Sequence, residues 1–310
     1  MTPRVSIVIP VFNRREQVIS AVDSVLAQTF GDLEIIVVDD GSTDRTPDTL
    51  ATLRPQAKLL RLPENRGPSP ARNVGTAIAR GEFVMLLDSD DELLPEAIAR
   101  HVGVLDRHPQ AVMSYSRLRQ NTASTTILPD EPPPTDLGAR IVQIMDGQFA
   151  GLFSSCLIRR EALEAIGGCD ESLATSEDTD LFVRLTPLGP FVFIPERLTV
   201  RNLLPDRYSL KAPPGDVGWN AVIDKLLASE HGDLVRPHLR RLRGSRHARL
   251  FDRLAAQEKW AESLSELARA LLTDPLALLR LRHLRRKFPR IIRRAGRAIV
   301  RRAQRGRASR

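Results

Sequence analysis

Phe83–Glu92 reads F-V-M-L-L-D-S-D-D-E. Its first five residues form an apolar run long enough for a buried strand and far too short to span a membrane. Asp88, Asp90 and Asp91 follow at once, so the strand would end in clustered acids. Like charges so placed oppose one another unless a cation or a set of donors offsets them. Two readings stand at this point. An oxygen-rich D-x-D suits a hard divalent ion, Mg2+ or Mn2+, which would in turn hold the phosphates of a substrate. Alternatively, Asp90 or Asp91 caps the helix suggested by Pro95.

Working outward, Val5–Val11 (V-S-I-V-I-P-V) and Leu33–Val38 (L-E-I-I-V-V) read as buried strands, with a shorter one at Lys58–Leu62. Amphipathic helices are expected over Arg15–Gln28, Ala71–Arg80 and Pro95 to about Arg107, the last with His101 and His108 on or beyond it. Strands alternating with helices predict an α/β fold, a mostly parallel sheet with helices on both faces. Ligands of such sheets bind beyond the carboxyl ends of the strands. Three strands end there in polar residues: Asn13, the acids of Asp39–Asp44, and the acids of Asp88–Asp91. Asp44 reads as the cap of a helix starting near Thr46, and Ser42 and Thr43 as turn residues.

Further along, strands are expected at Val112–Tyr115, Phe153–Ile158, Phe191–Ile194 and Leu198–Arg201, with a short helix at Glu161–Ile166. Leu128–Asp136 is too proline-rich for helix or central strand and reads as a surface loop. Ser176 or Thr175 would cap a helix whose first turn holds Glu177, Asp178 and Asp180. Acids there favour the helix dipole, yet three exceed what capping needs, and one is a candidate base.

After Pro213-Pro214-Gly215 the pattern turns purely helical, over Val217–Ala228, His247–Lys259 and Ala261–Leu272. The last two resemble one helix-turn-helix of a tetratricopeptide-like repeat. The net charge of +8 hides an asymmetry: Arg280–Arg310 holds fourteen Lys or Arg and no acid, leaving the rest at −6. Apolar residues from Leu281 to Ile299 line one side of that segment, as in a basic amphipathic helix lying on an anionic membrane surface; a frayed, solvated tail is the competing reading. Three regions result: an α/β domain over 1–212, a helical appendix over 213–275 and a basic tail over 276–310. No stretch is apolar enough to span a membrane and no signal-peptide pattern is seen, so a cytoplasmic location is expected, peripheral at the inner face of the cell membrane if the tail binds lipid. Cys156 and Cys169 form no C-x-x-C and read as reduced packing residues.

With these pieces side by side, residues 3 to about 210 resemble a family 2 glycosyltransferase of the GT-A fold. The resemblance rests on V-S-I-V-I-P-V-F-N-R (5–14), V-V-D-D-G-S-T-D (37–44), N-R-G-P-S-P-A-R-N-V-G (65–75) and L-D-S-D-D-E (87–92). G-G-C-D-E leading to E-D-T-D-L-F-V-R-L (167–185) completes it. It implies that Pro10, Val11 and Asp39 line the base and ribose pocket, Asp39 accepting from the nucleobase. Arg72, Asp88 and Ser89 would also contact the nucleotide, and Asp90, with Asp88, would bind Mn2+ or Mg2+. Asp178 would be the general base, with Asp180 as fallback, in an inverting single displacement. The partners implied are a nucleotide-sugar donor, UDP-linked if Asp39 reads uracil, and a saccharide or lipid-linked saccharide acceptor in envelope or capsule assembly.

Two departures qualify the resemblance. Members often carry Y-R-x-x-H-P-G-x-x-S near the end of this domain; here Val200–Ser209 places Leu204 at the histidine. Water, His231 or His238 would have to supply that metal ligand. Neither Q-x-x-R-W nor spanning helices are present, which points to addition of one sugar or few. A nucleotidyltransferase would show a glycine-rich loop after the first strand, where V-F-N-R-R-E has none. A nucleic-acid binder would interleave aromatics in the basic tail, which has only Phe288; no nucleic acid is expected. An inactive homologue would have lost acids that are present.

Overall fold

The computed structural model describes residues 2–120, 133–149, 151–202 and 217–277. The chain divides into two compact units between Lys225 and Leu226. The first is built on an eight-stranded sheet. Its strands are β1 (Val5–Val11), β2 (Leu33–Asp39), β3 (Lys58–Arg61), β4 (Phe83–Leu86), β5 (Asp91–Leu93), β6 (Met113–Gln120), β7 (Cys156–Arg159) and β8 (Phe191–Arg201), in the order β3-β2-β1-β4-β7-β6-β8-β5. The β3-β2-β1-β4 half is parallel, β7 runs antiparallel to β4 and β6, and β5 runs antiparallel to β8.

Helices α1 (Arg15–Leu26), α2 (Thr46–Leu53) and α3 (Pro68–Ala77) connect the parallel half, and α4 (Ala97–Arg107) leads from β5 to β6. One core gathers Val5, Ile7, Ile9, Phe83 and Met85 with Val18, Val22 and Val25 of α1 and Ile98, Val102 and Leu105 of α4. The opposite face, at Val8 and Val38, is covered by α3 at Gly75. Covered on both faces, β1 and β4 read as near-continuous apolar runs, broken only by Ser6. Pro10 fits in a central strand because of where β4 ends. The Val8 carbonyl accepts from Leu87, so residue 8 faces β4; Pro10 faces the same way, where the β1–β4 pairing has already stopped at Val8–Leu86.

Two expectations need correction. Asp91 opens β5 and α4 begins only at Ala97, so Asp90 and Asp91 are not helix caps. The two closing strands are one, β8; its register against β6 jumps from Ser116–Ile194 to Arg117–Arg197, with Pro195 and Glu196 bulged out between.

Helices α5 (Leu137–Met145), α6 (Arg160–Ala165), α7 (Glu177–Leu185) and α8 (Val217–Ala228) complete the first unit, although α8 runs three residues past its end. Trp219 of α8 donates to the Met145 carbonyl at 3.2 Å, and Lys225 pairs with Asp170. The second unit holds α9 (Gly232–Val235), α10 (Leu239–Ala256) and α11 (Trp260–Thr273). The last two form an antiparallel hairpin around Ala248, Phe251, Leu267 and Ala270; Arg240 Nε donates to the Thr273 carbonyl at 2.7 Å. No helix among the described residues is long and apolar enough to cross a membrane. Most of the Leu128–Asp136 loop, Leu204 and the tail beyond Ala277 lie outside the described residues.

Candidate active site

The chain passes from β1 to β2 and β3 on one side and returns to β4 on the other, so the order reverses beside β1. A crevice opens there beyond the strand ends. Val11 pairs with Asp39 across the mouth of β1 and β2, and Asp88 follows β4. Asp39 is fully buried; its Oδ1 accepts from the Ser42 amide at 3.2 Å. Its Oδ2 has Arg61 Nε at 3.4 Å but no hydrogen bond, a buried acceptor left with capacity for a ligand N–H.

Asn13, Ser42 and Thr43 turn out to have a common job. The Ser42 hydroxyl accepts from the Asn13 amide at 2.9 Å, and Asn13 Oδ1 accepts from the amides of Thr43 and Asp44 at 2.8 and 3.2 Å. This clasp joins the loops after β1 and β2, with Asn13 in the left-handed region at φ 51°. Asp44 Oδ1 accepts from the Thr46 amide at 2.9 Å, but the cap position of α2 is Arg45, so Asp44 stands one residue before the cap rather than at it.

The A-R-N segment of α3 ties the remaining motifs together. Arg72 is buried; its Nη2 donates to Asp88 Oδ1 at 2.7 Å, and its Nη1 stands 3.6 Å from Glu177 Oε1. Its guanidinium lies 4.2 Å from the centroid of the Phe153 ring. Burial opposes the charge of Arg72, but Asp88, Cys169 and Glu177 together hold its pKa above the usual value. Next to it, Asn73 Oδ1 accepts from the Cys169 amide at 2.8 Å while Nδ2 donates to the Cys169 carbonyl at 2.9 Å. Gly168 is required beside this clamp, since a Cβ there would stand 2.5 Å from Asn73 Oδ1 at a backbone φ of +74°.

The D-S-D acids carry more negative charge than their surroundings offset. Asp90 Oδ2 lies 3.4 Å from Arg14 Nη1, yet burial and then Asp88 push its pKa up. Asp91 is raised by burial and by Asp88, against a hydrogen bond from Ser154. Ser154 also accepts from the Asp88 amide at 3.1 Å. Ser89 is buried between them in sequence. No group of three or more His, Cys, Asp or Glu gathers around a metal position among the described residues. Asp88 and Asp90, each with one arginine beside it and with Asp91 adding a third acid, nonetheless fit the kind of site in which Mg2+ or Mn2+ is completed by water and substrate phosphates. His231 and His238 belong to the second compact unit.

At the start of α7, Ser176 adopts the left-handed region (φ 64°) and its side chain makes no cap, contrary to expectation. Strain of this kind concentrates at functional positions. Glu177 is raised by burial and by Asp178, with Arg72 opposing. Asp178 is half-buried; its Oδ1 accepts from the Thr179 amide. Asp180 is engaged by a cation of its own helix. It is buried and held by Arg184 Nε and Nη2 at 2.7 and 2.6 Å, and Arg184 also donates to the carbonyls of Ile166 and Gly168. Sequence reading missed Arg61, Ser154 and the pairing of Glu177 with Arg72. A charged residue closing β3 at the carboxyl edge was a usable signal for Arg61; nothing in F-S-S marked Ser154.

A parallel β3-β2-β1-β4 half-sheet extended by antiparallel strands, with acids beyond β2 and β4 and an E-D pair tied through Arg72 to Asp88 beyond β4, defines a glycosyltransferase of the GT-A fold. The glycosyl transferase family 2 profile matches residues 6–167, more than half of the chain, and the chain belongs to that family. It is 29% identical over 312 residues to the succinoglycan biosynthesis protein ExoO of Rhizobium meliloti (strain 1021), covering 91% of this chain and 84% of that protein. An uncharacterized glycosyltransferase of Rickettsia felis is 31% identical over 198 residues, but these are 62% of this chain and only 33% of that protein. Among solved structures, TarS 1-349 of S. aureus in complex with UDP-GlcNAc superposes with a TM-score of 0.66 at 18% identity, covering 96% of this chain and 92% of that one. Mannosyltransferase PcManGT of Pyrobaculum calidifontis, with GDP-Man and Mn2+, gives 0.61 at 20% identity, covering 93% and 81%. At such identities the likeness is one of fold.

Proposed function

We propose that the protein transfers one sugar, or a few, from a nucleoside-diphosphate sugar to an acceptor hydroxyl with inversion, in the assembly of an envelope or capsule polysaccharide. The observation that carries this reading is the buried Asp39 Oδ2, which lacks a hydrogen bond at the strand-order reversal, with the D-S-D acids across the same crevice. In this reading Asp39 accepts from the nucleobase, UDP-linked donors being favoured, and Pro10 and Val11 wall the base and ribose. Ser89 and Asp88 face the ribose and diphosphate, and Arg72 positions Asp88. Asp88 and Asp90 would hold Mn2+ or Mg2+, which when bound neutralises charge on the departing diphosphate. Asp178 takes the proton of the acceptor hydroxyl as it attacks the anomeric carbon. Asp180, engaged by Arg184, is released from that role.

The named neighbours support donor class and setting: one was solved with UDP-GlcNAc, another with GDP-Man and Mn2+, and a relative serves succinoglycan biosynthesis. The basic run from Arg280 to Arg310 would hold the enzyme at an anionic membrane surface, where a lipid-linked acceptor is concentrated. The test is calorimetry with a panel of nucleotide sugars and free nucleotides, with Mn2+ and with chelator. Binding of one nucleotide class only with metal, lost in Asp90→Ala, is expected. No binding of any nucleotide in either condition overturns the donor reading.

A further inference from the structure

A second cavity lies away from the aspartates, with a volume of about 290 Å3, walled by Pro133, Pro134, Leu137, Pro187 and Phe191 and reached by Arg140. Its place follows from strand direction. β7 is antiparallel to both β4 and β6, so β6 runs with β4; β8 is parallel to β6, and Phe191 pairs with Met113 where both strands begin. The cavity therefore sits at the amino edge of the sheet, opposite the edge that carries Asp39 and Asp88.

Arg140 is only 8% exposed; no carboxylate among the described residues forms an ion pair with it, and Asp136 is the one acid whose charge supports it. Its Nη1 and Nη2 donate to the carbonyls of Gly189 and Thr135 at 3.2 and 3.5 Å, its Nε is buried without a hydrogen bond, and Phe191 lies 5.8 Å beneath it. Asp136, the acid of that helix end, spends its carboxylate on the Ala139 amide at 2.7 Å. Buried charges are ordinarily compensated by a partner of opposite sign. Here the positive end of the nine-residue α5 lies at the same cavity, since Leu137 of its first turn lines it, with the Asp136 carboxylate offsetting part of that end. The walls are mainly proline, leucine and phenylalanine side chains, with Thr135 and Thr186 as the other polar side chains.

We propose that this cavity binds a small oxyanion, a carboxylate or phosphate group with an apolar flank, whose counter-charge is Arg140. The site is separate from donor binding and does not rest on the proposed function. The test titrates the full chain with inorganic phosphate and with citrate at fixed ionic strength, by calorimetry. Saturable binding of either probe is expected, weakened about tenfold or more in Arg140→Gln. It should be abolished in Thr135→Trp, whose ring fills the cavity while Arg140 stays in place. That second variant carries the test if Arg140→Gln fails to fold. Binding by citrate alone assigns a carboxylate ligand, and by phosphate alone a phosphate. No saturable binding of either probe, or affinity unchanged in Thr135→Trp, overturns the proposal.

Discussion

Arg72 Nη2 donates to Asp88 Oδ1 at 2.7 Å, and the other terminal nitrogen of the same guanidinium stands 3.6 Å from Glu177. One buried cation thus joins the acids beyond β4 to the acids that start α7. Removing it leaves two carboxylates facing each other with their shared counter-charge gone. Arg72→Met is expected to destabilise the first unit by about 3 kcal/mol, the lower end for a broken buried pair because Asp88 is partly exposed. Arg72→Lys keeps the charge but cannot reach both acids with a planar fork, so it should recover stability more than turnover. Denaturant midpoints and transfer rates of the two variants check this; equal stability of Arg72→Met and wild type would dismiss the tie.

Asp178 and Asp180 stand two residues apart in α7 and should respond oppositely to the same change. Asp178→Asn removes a proton acceptor from a half-buried position and leaves Arg184 satisfied. Transfer should fall by about 10²–10⁴-fold with donor affinity kept. Asp180→Asn weakens the charge-assisted bonds of Arg184 and should cost about 2 kcal/mol of stability, with a smaller loss of rate. A variant pair with the pattern reversed would move the base to Asp180.

Gly218, near the start of α8, touches the loop that leads into α7. A Cβ there would come within 2.1 Å of the Thr175 carbonyl oxygen, next to the strained Ser176. Because Trp219 anchors α8 on the Met145 carbonyl, the helix cannot simply retreat. Gly218→Ala is expected to cost about 1–3 kcal/mol and to lower the transfer rate by displacing Asp178, with donor affinity kept. An unchanged rate together with unchanged stability would show that α8 yields freely.

What the sequence made legible were features with a local cause. The near-continuous apolar runs of β1, β2 and β4 follow from burial on both faces, and the polar Asp44 from the turn that opens α2. β5 escaped notice because Asp91–Leu93 exists only by pairing with β8, distant along the chain. β8 read as two strands because Pro195 interrupts its pattern, while the fold accommodates the interruption as a bulge opposite Arg117. In the site, Asp39, Asp88, Asp90 and Arg72 were legible as motif members. The Arg72–Glu177 contact and the Asn73 clamp on Cys169 were not, since both depend on α3 meeting the loop before α7 in space.

His101 supplies a pH prediction away from the site. It is fully buried in α4, with Nδ1 2.9 Å from the Ser114 hydroxyl and Nε2 without a partner, and burial pulls its pKa from 6.5 down to about 3. Above pH 6.5 the imidazole is neutral folded or unfolded and contributes no slope. Below that value the unfolded chain binds a proton that the folded chain refuses, so stability falls with pH down to the folded pKa. The loss is about 1.4 kcal/mol per pH unit, or about 2 kcal/mol between pH 6.5 and 5. His101→Gln keeps a polar partner for Ser114 and removes the titration. Urea unfolding of both proteins across this window should give curves that converge as pH falls, the variant losing less. Parallel curves would mean that His101 gains its proton in the folded state after all.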